Sequence, residues 1–159
     1  MTSASGHLKQ QLHDDLTDGI RARDELRTAT LRMALTAVTN EEVSGKVARE
    51  LSDDEVVAVL QREAKKRRES AQAYDDARRP ELARRERAEL DVLAAYLPAA
   101  MADEELSAIV TEAVASARAD GADGPRALGA VMKLVSPLVA GRAEGGRVAA
   151  EVRRQLGLG

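Results

Sequence analysis

The chain has 159 residues, of which 44% are hydrophobic, and a formal net charge of −3; this length allows one sizeable core or two small ones. It has no cysteine, which excludes disulfides, thiol nucleophiles and thiolate metal sites. No apolar run approaches ~20 residues and the first residues lack a charged-then-apolar layout. We therefore expect neither a membrane span nor a secretory signal, and a cytoplasmic protein.

Charge is unevenly distributed along the chain. Basic and acidic side chains number 7 and 11 in residues 1–60, 10 and 6 in 61–87, 1 and 8 in 88–124, and 6 and 2 in 125–159. Subtraction gives segment charges of −4, +4, −7 and +4. The two basic segments can attract a polyanion at low salt, although the overall pI near 5.5 is not typical of a general nucleic-acid-binding protein.

Two helices are predicted at the amino-terminal end. Leucine or isoleucine at every fourth position predicts the first, which should start after Ser5 or Gly6. The second is expected over about residues 24–43. Its apolar residues fall on two faces, so we expect it to be the central helix of an amino-terminal bundle.

The third helix should run to about residue 77 from a capping box made by Ser52 and Glu55. Glu63 and Arg67 interrupt its apolar stripe. Glu63 lies four residues before Arg67, the favourable order for an ion pair, and either charge would cost several kcal/mol to bury alone. We therefore expect a structural ion pair between them, partly covered by packing.

A fourth helix is predicted from Pro80, which suits a first turn, until Pro98 terminates the segment. The fifth is expected to start after a cap at Asp103 and to end at residues 120–121. Carboxylate clusters at these and other helix ends, including Glu41-Glu42, are expected to complement helix dipoles.

The last two predicted helices meet at a glycine-rich corner. The sixth begins after Gly124 and should stop or kink near Val135, because Pro137 cannot donate a backbone hydrogen bond. The seventh follows Gly145-Gly146. The predicted fold is all-α: an amino-terminal bundle of about four helices in residues 1–98, then a smaller three-helix domain in residues 99–159.

The carboxy-terminal run resembles the tail motif of the GatB/YqeY family. The residues that carry the resemblance occur in a fixed order: Leu128-Gly129-Ala130-Val131-Met132-Lys133, Pro137, Gly141-Arg142-Ala143 and Gly146-Arg147-Val148. Glu144 departs from the pattern, because the family usually has aspartate there.

The amino-terminal half resembles the stand-alone YqeY-type proteins of the same family. The matching segments are Leu31-Arg32-Met33, Asn40-Glu41-Glu42-Val43, Leu51-Ser52-Asp53 to Val56, the run from Gln61 to Ser70, and Tyr96-Leu97-Pro98. Each is weak alone, but their order and spacing are specific. Residues 78–80 depart from the family, which more often has a glycine there.

The resemblance implies a link to tRNA. In the GatB subunit of glutamine-dependent aminoacyl-tRNA amidotransferases, this tail is a helical module that meets tRNA, while other domains and subunits carry the chemistry. The family is often assigned carbon–nitrogen ligase activity with glutamine as amido-N donor. For this chain that label would be inherited from the shared tail.

The residues themselves offer little catalytic chemistry. His7 and His13 lie six residues apart, so on a helix they point to different faces and form no metal site. There is no cysteine nucleophile, Gly-x-Ser-x-Gly elbow or Walker-type phosphate loop. We expect no catalytic residues, no metal and no cofactor.

The candidate RNA contacts are basic side chains in two groups. The tail group could bind phosphate at the glycine corner, where helix N–H groups are free; a plain helix–helix turn with solvated arginines is the alternative. The third-helix group could form a second patch or a solvated helix face. The tail group is Arg126, Lys133, Arg142 and Arg147, and the third-helix group is Arg62, Lys65, Lys66 and Arg68.

Three functions compete. The first is an accessory protein that contacts the tRNA backbone through these side chains; the scarcity of aromatic residues argues against base stacking. The second is an adaptor that docks on an amidotransferase or synthetase subunit without touching RNA. The third is an amidotransferase in its own right, which the lack of an ATP site or activated nucleophile argues against.

Overall fold

The computed structural model describes residues 6–159 and is built from helices. Within that range there is no β-strand, so the all-α prediction is confirmed. Ser5, one predicted start of the first helix, lies outside the described residues. The helices are α1 (His7–Arg21), α2 (Glu25–Glu42), α3 (Asp53–Asp76), α4 (Pro80–Ala94), α5 (Asp103–Ala119), α6 (Pro125–Val139) and α7 (Gly145–Leu156).

The helices form two compact units. Unit 1 ends at Leu97 and contains α1 to α4, and unit 2, Pro98–Gly159, contains α5 to α7. Each unit has a hydrophobic core of its own, built mainly from leucine, valine and alanine. Since the chain has no phenylalanine or tryptophan, its helices approach closely through these smaller side chains.

In unit 1, α2 packs against each of the other three helices. Leu31 and Val38 of α2 are fully buried, as are Leu12 of α1 and Leu60 of α3. The second apolar face of α2 is less covered than the sequence pattern predicted, because Met33 is exposed. The α2 helix therefore packs against the other three helices mainly through one of its two apolar faces.

In unit 2, α5 packs against both α6 and α7, and those two helices also contact each other. Val110 of α5, Val131 and Val135 of α6, and Val152 of α7 are fully buried. The fourfold spacing of these valines on α6 places them on one face of the helix. The opposite face of α6 is consequently left to solvent.

Of the stop or kink predicted near Val135, the stop is wrong, because the helix continues through Pro137 to Val139. Pro137 lies in the last turn, where its missing N–H removes a single helical bond. The hydroxyl of Ser136 donates to the Met132 carbonyl at 2.7 Å. Val139 is buried, so packing holds the chain helical beyond the proline.

The cap of α5 also differs from the prediction. Its N-cap residue is Ala102, without a side-chain hydrogen bond, and Asp103 is the first helical residue. Asp103 therefore does not cap the helix, and its carboxylate instead contacts Arg147. By contrast, Ser52 caps α3 by accepting from Glu55 N at 3.2 Å.

Glu42 does not serve the helix dipole as the sequence suggested. It lies at the carboxy-terminal end of α2, where the dipole opposes a negative charge. Its carboxylate accepts from Lys9 Nζ at 2.6 Å and from Leu51 N at 3.2 Å. The hydrogen bond from Lys9 holds the pKa of this buried carboxyl below its usual value. Glu42 thus joins α1, the end of α2 and the entry to α3.

Candidate functional site

The solvent face of α6 carries two basic side chains without partners among the described residues. Arg126 and Lys133 are both exposed, and neither forms a hydrogen bond or ion pair within residues 6–159. No acidic residue occurs between Asp123 and Glu144. Seven residues along an α-helix span about 10 Å and return to nearly the same face. Two cations that are free of partners in this range, called the free cations below, therefore lie on one side of α6.

Arg126 lies in the first turn of α6, which contains no acidic residue. A cation there faces the positive end of the helix dipole, an arrangement that costs a few tenths of a kcal/mol to ~1 kcal/mol. The Asp123 carboxylate lies just before the helix and accepts from Gly124 N at 2.8 Å. Helix stability therefore does not account for Arg126, whereas an external anion would be attracted by both the dipole and the guanidinium.

The glycine corner between α6 and α7 is occupied by carboxylates from α5. Arg142 donates two parallel hydrogen bonds to Glu105, at 2.7 Å from Nη1 to Oε1 and 2.9 Å from Nη2 to Oε2. The hydrogen bonds from Arg142 hold the pKa of Glu105 below its usual value. Arg147 makes a similar contact, from Nη2 to Oδ1 of Asp103 at 2.5 Å. Both arginines thus have internal partners.

The third-helix group of candidate RNA contacts is exposed, and carboxylates of unit 1 lie close to it. Arg62 is 3.3 Å from Glu41, and Lys65 is 3.9 Å from Glu69. Lys66 is 3.0 Å from Glu63. Arg68 is exposed on the same helix. Because such surface pairs contribute about 0–1 kcal/mol, they reduce the positive potential of the patch without locking its side chains.

Glu63 and Arg67 contact each other at 2.5 Å, and both are largely covered by packing. Glu89 of α4 completes the cluster, with its Oε2 3.6 Å from Arg67 Nε. That nitrogen is buried and has no hydrogen-bond partner among the described residues. Burial alone would raise the pKa of Glu63, but hydrogen bonds from Lys66 and Arg67 outweigh it and lower the pKa. Sequence reasoning missed Glu89, since it lies on a different helix.

An open groove of about 520 Å³ lies between α5 and α7. Within it, hydrogen bonds from Arg154 and then from Gln155 lower the pKa of Glu151 to about 2. Two of the three carboxylates that line the groove, those of Asp103 and Glu151, are already bonded to arginines. The lining residues are Asp103, Glu104, Ser107, Ala108, Glu151 and Arg154.

Within residues 6–159, neither histidine belongs to a metal-binding group. Across residues 6–159, no three histidine, cysteine, aspartate or glutamate side chains are grouped so that they could hold a metal ion. His7 and His13 are exposed positions of α1. In the same part of the chain, no helix is long and apolar enough to cross a membrane.

Comparison with known proteins identifies the family. The profile of the family described as Yqey-like protein matches residues 9–156, from α1 to the end of α7. The chain belongs to the YqeY-like family. The match includes both units, so the exposed cations of α6 and the paired arginines of the corner all lie inside the family region of this YqeY-like protein.

This YqeY-like protein is also similar to a curated fungal protein, "Altered inheritance of mitochondria protein 41, mitochondrial" of Clavispora lusitaniae. The two are 29% identical over 138 residues, which cover 85% of this chain and 78% of the relative. The similarity therefore extends over most of both proteins.

Proposed function

We propose that this YqeY-like protein is a non-catalytic accessory protein that contacts tRNA, or a tRNA-processing complex, through unit 2. The observation that carries the proposal is a pair of cations on the solvent face of α6, Arg126 and Lys133, which have no partner in the part of the chain that the structure describes. Basic side chains without internal partners contact phosphate at the lowest free-energy cost, because no existing ion pair has to be broken.

The proposed contact is with the RNA backbone rather than with stacked bases. The chain has two aromatic residues, Tyr74 and Tyr96, and neither is fully exposed. The Tyr96 hydroxyl is bonded to Asp15. Proteins that bind single strands commonly stack bases on exposed aromatic rings, whereas folded RNA can be recognised by shape and phosphate position. A folded RNA such as tRNA suits this surface better.

The family supports the link to tRNA through the related tail of the GatB subunit. Within the proposal, the carbon–nitrogen ligase label applies by association, because the related chemistry belongs to other domains and subunits. The α3 group, Arg62, Lys65, Lys66 and Arg68, contributes a weaker second patch. Each of the first three has a carboxylate within 4.0 Å.

Binding of a labelled tRNA transcript to the purified chain, free of carried-over nucleic acid, tests the proposal. The double variant R126E/K133E should bind at least tenfold more weakly than the wild type. A matched control, R21E/K46E, reverses two exposed cations of unit 1 and changes the net charge equally. Equal weakening of both variants would mean that net charge, not the α6 surface, governs binding. Wild-type protein that binds no tRNA at low salt would refute the function.

A second candidate function, docking on a protein such as an amidotransferase or synthetase subunit, is favoured by two leucines of α6. Leu134 is 43% exposed and Leu138 is 62% exposed. Full burial of one leucine side chain contributes about 1.5–3 kcal/mol, so this pair suits a partner contact. Recovery of one amidotransferase or synthetase subunit after nuclease treatment, and its loss with L134S/L138S, would support docking. Recovery of RNA without that subunit would oppose it.

We propose a cytoplasmic location, on the composition of the chain and its proposed RNA partner. The name of the fungal relative describes that protein as mitochondrial. Cell fractionation with an antibody against the chain tests the location, and recovery of the protein in an organelle fraction alone would contradict it.

A further inference from the structure

We propose that the ion pairs Arg142–Glu105 and Arg147–Asp103 form an electrostatic latch, which holds two family-motif arginines in the free chain and opens when RNA phosphate displaces the carboxylates. The inference rests on the proposed function and adds its regulation. It assigns Arg142 and Arg147 to contacts made only after displacement, whereas Arg126 and Lys133 are available from the start.

The latch joins the start of α5 to the corner between α6 and α7. Besides its two bonds to Glu105, Arg142 lies with Nε 3.5 Å from the Ala99 carbonyl oxygen. The Met101 amide donates to the Arg142 carbonyl at 2.8 Å. Arg142 therefore also holds the segment that precedes α5. The latch is a tertiary feature of unit 2, because its partners are distant in sequence. Arg142 and Glu105 are 37 residues apart, and Arg147 and Asp103 are 44 residues apart.

The side chains of both ion pairs are exposed enough for RNA phosphates to replace the carboxylates. Side-chain exposure is 39% for Arg142 and 44% for Glu105, and Asp103 is 88% exposed. Surface ion pairs are weak, because water and salt screen both charges. A nucleic acid presents many phosphates at once, and release of its counterions favours replacement of a single carboxylate on each arginine. Guanidinium binds phosphate in the same two-bond geometry that it uses with carboxylate.

The free cations of α6 provide a first contact for this exchange. Arg126 and Lys133 lie in the same unit as the latch, on the helix that precedes the glycine corner. An RNA held there raises the phosphate concentration near Arg142 and Arg147, so the second contact is effectively intramolecular. The latch thus keeps the charges of Arg142 and Arg147 compensated by carboxylates until an RNA is already engaged.

Neutralising the latch carboxylates tests the inference. The variant D103N/E105Q frees both arginines and should bind a tRNA transcript at least fivefold more tightly than a matched control. That control is E104Q/E112Q, which removes two exposed glutamates of the same helix that have no partner among the described residues. Both variants change the net charge from −3 to −1, since each removes two negative charges. Equal affinities of the two variants would overturn the latch.

A second measurement needs no variant. In the wild-type chain, the Nε–H NMR signals of Arg142 and Arg147 should shift when the tRNA transcript is added. Unchanged arginine signals, while backbone signals of α6 move, would overturn the latch but leave RNA binding by α6 intact. If neither the wild type nor D103N/E105Q binds, the proposed function fails together with the latch. If only D103N/E105Q binds, RNA does not displace the carboxylates of the wild-type chain, and both the latch and the proposed function are overturned.

Discussion

The hydroxyl of Tyr96 donates a hydrogen bond of 2.5 Å to Oδ2 of Asp15. This contact ties the segment after α4 to the middle of α1, across 81 residues of sequence. Arg27 of α2 lies 3.8 Å from the other oxygen of the same carboxylate. Three elements of unit 1 are therefore held together immediately before the chain enters unit 2.

Tyr96 should make unit 1 sensitive to alkaline pH. Burial, and then the bond to Asp15, raise the pKa of Tyr96 from 10.0 to about 12. Since the folded pKa is above the unfolded one, its contribution to stability is complete below pH ~10 and is lost as the pH rises towards ~12. Urea unfolding between pH 8 and 12 should show this loss in the wild type and in Y74F, but not in Y96F. The same alkaline loss in Y96F would contradict the assignment.

Arg67 should be among the most sensitive polar positions of unit 1. Its removal leaves two largely covered carboxylates, Glu63 and Glu89, without their shared cation. Breaking a buried ion pair costs about 3–5 kcal/mol, so R67M should lower the free energy of unfolding by that order. The exposed neighbour supplies a control, R62M, for which we expect a change within ~0.5 kcal/mol. Equal urea midpoints for R67M and the wild type would show that the cluster adds no stability.

Glu42 should control the order of the loop between α2 and α3. The variant E42A removes the acceptor for Lys9 and for the backbone amide of Leu51, which is fully buried. An orphaned buried donor costs about 1–3 kcal/mol. Hydrogen exchange of the Leu51 amide should accelerate in E42A and stay unchanged in E41A. Protection of Leu51 that survives E42A would mean that packing alone orders the loop.

Unit 2 should fold without unit 1. It has a separate core that includes the fully buried residues Val110, Val131, Val135 and Val152. A fragment of residues 98–159 is small, and domains of this size are marginally stable. We therefore expect a helical circular dichroism spectrum and a cooperative thermal transition at a lower temperature than that of the whole chain. A spectrum of an unfolded chain would show that unit 2 depends on unit 1.

Helix positions were readable from the sequence because they depend on local signals. Apolar spacing and the Ser52 cap located helices that the structure begins within a few residues of the predicted points. The exception was the end of α6, where proline chemistry predicted a stop or a kink near Val135 and the helix continues to Val139. Burial of Val139 stabilises the last turn by more than the loss of one helical hydrogen bond destabilises it. Rules based on local sequence do not include this contribution from tertiary packing.

The ion-pair partners of the basic side chains could not be predicted from the sequence, because they come from distant parts of the chain. Arg142 and Arg147 follow glycines in a motif that suggested open phosphate contacts, yet Glu105 and Asp103 lie within hydrogen-bonding distance. The same two carboxylates had an adequate local explanation as helix-dipole partners of α5. Their contacts with the corner appear only when α5 packs against α7. Arg126 and Lys133 were identified by charge alone, and the structure shows that neither has a partner within residues 6–159.

The salt dependence of tRNA binding by the wild-type chain tests the central claim most directly. Each phosphate contact contributes ~0.7–0.9 to the slope of log Kd against log salt concentration. Two contacts from α6, and two more when the latch opens, predict a slope between about 1.4 and 3.6. We expect a slope in that range for the wild type. For R126E/K133E we expect a slope that is lower by at least the contribution of one contact, ~0.7. Affinity that does not change with salt, or no binding at 50 mM salt, would contradict a protein that holds tRNA by its phosphates.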